Sequence, residues 1–308
     1  MTRDARGLMR GYETTHLIYA APVHSDGARG AVVVTGSSTG IGRACALHLD
    51  RLGFKVFAGV RKEVDAQGLR DEASAQLEPL ILDVTEPDDV SRAAARVSED
   101  AGGRLAGLVN NAGIGLGGPL ELLPLEDFRH QIEVNLIGQV AVSQALIPAL
   151  RRARGRLVFI SSIGGLMANP FMSPYHASKF GIEAVGDSLR LELRPFGVTV
   201  SIVEPGSIAT PMWEKGKATA REVRGSLTAE GRELYGESIA RFEKVFEQIS
   251  SRGLPPEKVA GVVAHALTSR RPRTRYRVGA DAKVMATLKK LLPDRLRDQL
   301  LTRATGLR

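Results

Sequence analysis

The chain has 308 residues, of which 43% are hydrophobic and 25% are charged, and its formal net charge is +8. These proportions are those of an ordinary globular protein with a sizeable core. The single cysteine, Cys45, excludes an internal disulfide framework and indicates a reducing compartment. A sequence pI near 9.8 is compatible with nucleic-acid binding, but no recognised nucleic-acid motif accompanies it.

Residues 1–30 lie outside the periodic pattern of the rest and are predicted to form a flexible extension. Their apolar stretch, 17–23, is too short to span a membrane and is interrupted by Pro22. Arg3, Arg6 and Arg10 leave a targeting role open, and a start codon placed too early is a further alternative. We expect a cytoplasmic protein.

Strands and helices alternate along the remainder of the chain. Strands are predicted at 31–35, 55–59, 79–83, 106–110, 156–160, 199–203 and 275–278. Helices are predicted at 41–52, 63–75, 87–100, 126–153, 175–194, 229–251 and 256–269. This order predicts one α/β domain over 31–280, a doubly wound Rossmann-type parallel sheet of about seven strands with helices on both faces. We expect Cys45, in the first helix, to be a packing residue.

A glycine-rich turn follows the first predicted strand directly. It reads Thr35-Gly-Ser-Ser-Thr-Gly-Ile-Gly42 and leads into a helix. Glycines let a backbone approach a pyrophosphate, and the dipole and free N–H groups of a helix amino terminus attract an anion. The spacing is Gly-x-x-x-Gly-x-Gly, and a plain turn is the alternative. Its position between strand and helix favours a nucleotide site.

Two more strands end in polar residues. The fourth runs into Asn110-Asn111-Ala112-Gly113, where small residues allow a cofactor to lie against the strand ends; an ordinary Asn/Gly turn is the alternative. The fifth delivers Ser162 to the edge where open α/β sheets place their ligands. The hydroxyl of such a serine can bind a substrate oxygen or can simply cap a helix.

Tyr175 and Lys179 lie four residues apart on a predicted helix and therefore share one face. A fixed cation beside a phenol stabilises the phenolate and lowers the phenol's pKa from its usual value of about 10. This pairing is what a tyrosine needs to act as an acid/base near neutral pH. Such a pair also occurs by chance on solvated helices. It indicates function only together with the other motifs, in the order in which they follow one another.

In that order, the motifs resemble those of the short-chain dehydrogenase/reductase family. The resemblance implies hydride transfer between a nicotinamide ring and an alcohol or carbonyl carbon. It implies four catalytic residues: Tyr175 exchanges the proton, Ser162 polarises the substrate oxygen, Lys179 binds the nicotinamide ribose and lowers the tyrosine pKa, and Asn135 holds a water that links Lys179 to solvent. No metal is predicted. The implied cofactor-binding residues are Thr35, Gly36, Ser37, Ser38, Gly40, Ile41, Gly42, Arg61, Asp83, Val84, Asn111, Ala112, Gly113, Tyr175, Lys179, Pro205, Gly206, Ile208 and Thr210.

The end of the second strand bears on the choice of cofactor. Enzymes that use NAD usually carry an acidic residue there, which binds the ribose 2′-hydroxyl. This chain has Val60 at that position, followed by Arg61 and Lys62, whose positive charges suit a 2′-phosphate. NADP is therefore favoured over NAD, although both charges could instead be solvated. By resemblance, Asp83 and Val84 contact the adenine.

Residues 207–253 form a substrate lid in the family that the chain resembles. Within this stretch an apolar stripe recurs at helical spacing: Tyr235, Ile239, Phe242, Phe246 and Ile249. Such a stripe more often packs against a core, but it can also roof an apolar pocket. Further apolar wall is expected from Met167, Phe171, Met172, Met212 and Trp213. These residues favour a hydrophobic alcohol or ketone as substrate over a sugar or phosphorylated compound.

The carboxyl end resembles the retinol and steroid dehydrogenase branch, through Arg275-Tyr276-Arg277-Val278-Gly279 and the Leu-Leu-Pro that follows at 291–293. The tail, 281–308, is predicted to be basic and amphipathic. Such a helix can lie on an anionic membrane, but capping of the fold or of an oligomer interface is favoured. By resemblance, helices 126–153 and 175–194 pair across a two-fold axis into a homodimer or homotetramer. Two alternatives stay open, a non-catalytic nucleotide sensor and a lipid-binding protein of the membrane surface.

Overall fold

A computed structural model describes residues 29–212, 216, 225 and 227–305 of the chain. It contains a seven-stranded, fully parallel sheet in the order β3-β2-β1-β4-β5-β6-β7. The strands are β1 (Ala31–Val34), β2 (Lys55–Val60), β3 (Leu77–Ile81), β4 (Gly107–Asn110), β5 (Arg156–Ile160), β6 (Thr199–Pro205) and β7 (Arg275–Val278). The predicted doubly wound fold is confirmed.

Helices connect the strands and cover both faces of the sheet. Those before β6 are α1 (Gly40–Arg51), α2 (Glu63–Arg70), α3 (Pro87–Asp100), α4 (Leu125–Ile132), α5 (Gly138–Ala153) and α6 (Ser173–Glu192). Those after it are α7 (Ala229–Ser251), α8 (Pro256–Thr268), α9 (Ala280–Leu291) and α10 (Asp294–Thr305). Short 3₁₀ turns occupy Ile163–Gly165 and Arg194–Phe196.

Alternation along the strands divides the apolar side chains between two cores. In β1, Val32 and Val34 face the core beneath α1 and α8, whereas Ala31 and Val33 face the core beneath α3, α5 and α6. Successive side chains of a strand point to opposite faces, so a strand buried on both faces is apolar throughout. Cys45 is fully buried in the first of these cores, and burial raises the pKa of its thiol to about 12, as expected of a packing residue.

Most element bounds differ from the predicted ones by one or two residues, and three differences have a structural meaning. Strand β3 lies at 77–81 instead of 79–83, and it contains Pro79, which is tolerated because β3 is an edge strand paired only with β2. Helix α2 ends at Arg70, well before the predicted residue 75. The predicted helix 126–153 is interrupted by a π-helical turn, Glu133–Ile137, between α4 and α5.

The interrupted helix run Leu125–Ala153 is, among the described residues, long and apolar enough by composition to cross a membrane. In the fold it packs against β4, α3 and α6, and 44% of its most apolar window is buried inside the protein. Core packing therefore accounts for part of its apolar character.

The sheet order reverses between β1 and β4, because the chain proceeds outward from β1 to β3 and then returns to β4 on the other side. Crevices at the carboxyl ends of strands at such a switch point are where open α/β sheets bind ligands. The predicted site motifs lie at the carboxyl ends of the strands or in the helical segments next to them.

Candidate active site

The glycine-rich turn after β1 has no room for side chains at two of its glycines. Gly36 has a φ of +67°, and a Cβ placed there would lie 2.8 Å from the Cα of Ala112. A Cβ at Gly42 would overlap the carbonyl oxygen of Gly36. Helix α1 begins at Gly40 and has no acidic residue in its first turn, so its amino terminus retains its full attraction for an anion. The turn fits a pyrophosphate.

A hydrogen-bond network fixes this turn to the end of β4. The Thr35 hydroxyl accepts from the backbone N–H groups of Asn111 and Ala112, each at 3.0 Å. The Asn111 side-chain amide donates to the carbonyls of Thr35 (2.9 Å) and Gly36 (3.1 Å). The sequence predicts contacts of these residues with the cofactor. In the structure, the side chains of Thr35 and Asn111 hold the backbone of the glycine-rich turn against the end of β4.

Ser37 and Asp83 are similarly occupied by internal bonds. The Ser37 hydroxyl donates to the Val34 carbonyl at 2.9 Å and its N–H donates to Gly59 O at 2.8 Å. Asp83 Oδ1 accepts from the Thr85 N–H (3.0 Å) and hydroxyl (2.8 Å). Both residues hold the backbone beside the crevice, and their contact with a cofactor stays a prediction.

The end of β2 presents a cation and no acid. Val60 is buried, whereas Arg61 is exposed. Within the part of the chain that the structure describes, the Arg61 guanidinium has no hydrogen-bond or ion-pair partner. It is therefore available to a ligand at this edge of the sheet.

Asn135 lies within the π turn, a form of helix that often marks functional sites. Its Oδ1 accepts from Ile114 N (2.8 Å), and its Nδ2 donates to Ile114 O (2.9 Å) and to Ser178 Oγ (3.1 Å). The Ser178 hydroxyl donates in turn to the Tyr175 carbonyl at 2.7 Å. Ser178 was not predicted as a site residue, although it stands inside the Tyr-x-x-Ser-Lys run. It joins Asn135 to the helix that carries the tyrosine.

Tyr175, Ser162 and Lys179 are brought together at the carboxyl end of β5. Burial raises the pKa of Tyr175, and a hydrogen bond with the Ser162 side chain opposes that rise. The Lys179 Nζ lies 5.9 Å from the centroid of the Tyr175 ring and donates to the Ile160 carbonyl at 2.8 Å. Burial lowers the pKa of Lys179 to about 8. In this geometry Ser162 opposes the rise in the tyrosine pKa, and the lowering expected from Lys179 stays a prediction.

His176, which sequence reasoning did not select, holds the loop between Ser162 and Tyr175. Its Nδ1 lies 2.8 Å from the Gly164 carbonyl, and its Nε2 accepts from the Asn169 N–H at 2.9 Å. These partners require the neutral Nδ1–H tautomer, and burial lowers the pKa of the ring in agreement. The residue adjacent to the tyrosine thus ties the beginning of the loop, at Gly164, and its middle, at Asn169, to α6.

The predicted substrate side contains an aromatic cluster. The Phe171 ring makes edge-to-face contacts with Tyr235 (centroids 6.5 Å apart) and Phe242 (5.6 Å), and Phe242 contacts Phe246 at 5.8 Å. We call these four side chains the aromatic clasp, because they join α7 to the loop before Tyr175. Ile239 is instead buried, and Trp213 lies outside the described residues.

The segment after β6 is anchored at its base. Asp281 accepts from Ser207 N at 2.7 Å, the bridge Ile208–Leu254 ties the segment to the chain beyond α7, and Ala209 N donates to Leu254 O at 2.8 Å. The Thr210 side chain lies 3.1 Å from the position of a Cβ on Gly40. Pro205, Gly206, Ile208 and Thr210 therefore lie at the predicted edge, with Thr210 against the glycine-rich turn.

Comparison with known proteins agrees with this geometry. The family model for short chain dehydrogenases matches residues 30–221. Retinol dehydrogenase 5 of Mus musculus is 41% identical over 279 residues, covering 88% of this chain and 87% of the relative. The 17-beta-hydroxysteroid dehydrogenase type 6 of Bos taurus is 39% identical over 282 residues, covering 89% and 88%.

Two further matches carry cofactor information. An NADPH-dependent 3-dehydrocapnine reductase of Ornithobacterium rhinotracheale is 35% identical over 274 residues, covering 87% of this chain and 94% of the relative. A solved short chain dehydrogenase of Burkholderia cenocepacia in complex with NADP superimposes with a TM-score of 0.69 at 26% identity, covering 89% of this chain and 98% of that one.

The chain belongs to the short-chain dehydrogenase/reductase family. Its relatives place it in the retinol and steroid dehydrogenase branch, and it is an oxidoreductase with a nucleotide-binding Rossmann fold. Interconversion of an alcohol and a carbonyl compound with a nicotinamide cofactor is the activity that this membership supports.

Proposed function

We propose that the protein is an NADP-preferring dehydrogenase/reductase that interconverts a hydrophobic alcohol and its ketone or aldehyde, with Tyr175 as the acid/base. The observation that carries the proposal is the position of Tyr175 at the carboxyl end of β5, where the Ser162 side chain opposes the rise in the tyrosine pKa and the buried Lys179 lies one helical turn away. Proton exchange requires a group within hydrogen-bond distance of the substrate oxygen. The hydroxyls of Tyr175 and Ser162 offer that oxygen a hydrogen-bond donor and an acceptor in the same place.

A bound nicotinamide supplies or accepts the hydride at the substrate carbon. In the oxidative direction, Tyr175 takes the proton of the substrate hydroxyl; in the reductive direction it returns a proton to the oxygen of the former carbonyl. Ser162 donates a hydrogen bond to that oxygen as negative charge develops on it. Lys179 has two further N–H donors besides the one that Ile160 accepts, and these suit ribose hydroxyls.

The preference for NADP rests on the end of β2. Arg61 is exposed and has no partner among the described residues, so it can form a charge-assisted contact with a 2′-phosphate. Val60 offers a ribose 2′-hydroxyl no hydrogen bond. The NADPH-dependent relative and the NADP-bound structural neighbour support the same choice.

The aromatic clasp supports an apolar substrate. Its three phenylalanine rings offer an apolar surface, and one of them, Phe171, lies in the loop that connects Ser162 to Tyr175. Retinol and steroids, the compounds in the names of two relatives, are hydrophobic alcohols of this kind. A spectrophotometric screen of apolar alcohols and ketones with both cofactors tests the proposal. If the protein binds each cofactor but turns over no substrate, the alternative of a non-catalytic nucleotide sensor is favoured instead.

Binding to a lipid surface is a second candidate function. One side of the carboxyl-terminal helices, α9 and α10, favours it. One side of the tail packs on the protein: Lys289 donates to the Leu166 carbonyl at 2.5 Å and lies over the Phe180 ring. The other side exposes Val284, Leu291, Leu296 and Leu300 among basic residues. Co-sedimentation with anionic vesicles, compared with a variant carrying glutamate at Leu291, Leu296 and Leu300, tests this candidate.

A further inference from the structure

The three residues of the motif Arg275-Tyr276-Arg277 point alternately to the two faces of the sheet, because they lie on strand β7. In the β6–β7 register, Arg275 lies opposite Ile202 and Arg277 lies opposite Glu204. The two arginines therefore share the face of the sheet that α6 covers, where Glu183 and Asp187 lie. The intervening Tyr276 points the other way, and its hydroxyl contacts His265 of α8 at 3.0 Å.

A buried ionic cluster results. Glu183 Oε2 accepts from Arg275 Nε (3.1 Å) and Nη2 (3.0 Å), and Arg275 Nη2 also donates to Asp187 Oδ2 at 2.7 Å. Glu204 is fully buried; its Oε1 lies 3.0 Å from Arg275 Nε and its Oε2 accepts from Arg277 Nε at 3.0 Å. Acidic side chains this deeply buried are rare unless they are paired, and here two of them share one guanidinium.

Glu183 is also a neighbour of Lys179 along α6. It lies one helical turn after Lys179 on α6, and the exposed fractions of the two residues are 7% and 4%. The opposite charges therefore interact where water does not screen them. The cluster on β6 and β7 thus holds the Glu183 carboxylate one helical turn from Lys179, close enough for its charge to act on the ammonium group.

We propose that Glu183, held by Arg275, is a positioning residue that keeps the Lys179 side chain in its charged form. The inference extends the proposed function, because that function needs a cation beside Tyr175. Burial alone lowers the pKa of Lys179, and the attraction of Glu183 opposes the fall, so the lysine stays mostly protonated at neutral pH. Burial raises the pKa of Glu183 and Glu204 adds to the rise, whereas Ser161 and Arg275 oppose it.

Few titratable groups act on the lysine among the described residues. On its own helix these are Tyr175 and Glu183; His176 faces the 3₁₀ turn instead. Across the sheet, Glu204 on β6 and Arg275 on β7 reach it through Glu183. The turn after β5 and the π turn contribute only Ser161, Ser162 and Asn135, which do not titrate. Glu183 is therefore the acidic group whose removal should change Lys179 most.

The test is a direct titration of Lys179 by its Cε chemical shift in lysine-labelled protein, with the signal assigned by its absence in Lys179→Met. The parent midpoint should lie near pH 8. In Glu183→Gln, which preserves the shape of the side chain, it should fall by about one pH unit. The matched control is Asp187→Asn, which removes another carboxylate partner of the same arginine but at a more exposed position, and its midpoint should equal that of the parent.

A folded Glu183→Gln protein with the parent midpoint would overturn the proposal, as would an equal shift in Asp187→Asn, because a purely structural ionic cluster would treat the two carboxylates alike. If Glu183→Gln does not fold, Glu183→Asp retracts the carboxylate by one methylene and should give a smaller shift of the same sign; no shift there also contradicts the inference. This titration needs no cofactor and no turnover, so its outcome is independent of the proposed function.

Discussion

The Phe171 ring meets the Phe242 ring edge to face, with centroids 5.6 Å apart and planes at 82°. Phe171 adopts this position with a φ of +62°, a left-handed conformation that is costly for a bulky residue. Its carbonyl accepts from the Gly118 N–H at 2.7 Å, which helps to hold the backbone there. Backbone strain of this kind is tolerated where surrounding contacts fix it, and here those contacts join α7 to the loop that precedes Tyr175.

The first prediction concerns substrate size. Phe171→Gly relieves the backbone strain but removes the ring that links α7 to the active-site loop. We expect KM for long apolar alcohols to rise about tenfold, equivalent to the loss of roughly 1.4 kcal/mol of apolar contact, with a smaller change for short alcohols. Steady-state kinetics over a chain-length series measures this.

Tyr235→Phe is the matched control for the clasp. It keeps the ring contact with Phe171 and loses only the hydroxyl bond to Glu121, which is 2.5 Å long and lies at the surface. Its KM values should stay close to those of the parent. A Phe171→Gly variant whose KM rises equally for short and long alcohols would show that the clasp does not contact substrate.

The second prediction concerns the acid/base. Tyr175→Phe removes the proton donor and acceptor, so kcat should fall by about 10²–10⁴-fold, whereas cofactor affinity should stay nearly constant. Turnover measured beside the dissociation constant of the reduced cofactor separates the two effects. Retention of more than about a tenth of the activity would contradict the role assigned to Tyr175.

Sequence patterns predicted the sheet, the order of its elements and the residues at the strand ends, because alternation and local motifs are encoded by neighbours in the chain. They did not reveal Ser178, His176 or the Glu183–Arg275 pair. Glu183 and Arg275 are 92 residues apart, and only the placement of β7 beside β6 brings them together. The π turn at Asn135 was missed for a related reason, since Glu-Val-Asn-Leu-Ile continues the helical pattern and tertiary hydrogen bonds to Ile114 hold the asparagine.

The third prediction is that the functional lysine destabilises the fold. The pKa of Lys179 is about 8 in the folded protein against a usual 10.5, so the unfolded chain binds more protons between these values and stability should rise with pH across that window. Burying the charged form costs about 3 kcal/mol below pH 8. Lys179→Met loses the bond to Ile160, about 1 kcal/mol, and should be more stable at pH 7 by about 2 kcal/mol.

Urea denaturation of the parent and of Lys179→Met at pH 7 and pH 10 measures this difference. The variant should lose the rise in stability with pH while binding cofactor more weakly. Equal stability curves for the two proteins would mean that the ammonium group is better solvated than its burial implies.

The fourth prediction concerns assembly. An apolar groove lies on the outer face of α5 and α6, lined in part by Val140, Ile147, Val185 and Leu189. The expected homodimer or homotetramer would cover this groove. Light scattering at micromolar concentration should give a multiple of 33.1 kDa, and Val185→Glu should lower that multiple, to a single chain if the parent is a dimer. A monomeric parent would refute the expectation.

The last prediction concerns the cofactor, and its direction follows from two adjacent residues. Arg61 can contact a 2′-phosphate through charge-assisted hydrogen bonds, each of which contributes about 1.5–3 kcal/mol. Its loss should therefore weaken NADP binding roughly ten- to a hundredfold. Val60→Asp adds an acceptor for the ribose 2′-hydroxyl and repels the phosphate, so the double variant with Arg61→Ala should prefer NAD.

Values of kcat/KM for both cofactors in the parent, in each single variant and in the double variant separate attraction from repulsion. Lys62→Ala is the comparison: Lys62 stands at the N-cap position of α2 without a side-chain capping bond, and an ammonium group cannot bind a phosphate through two parallel hydrogen bonds as arginine can, so its loss should change the preference less. A parent that already prefers NAD tenfold would show that Arg61 points into solvent.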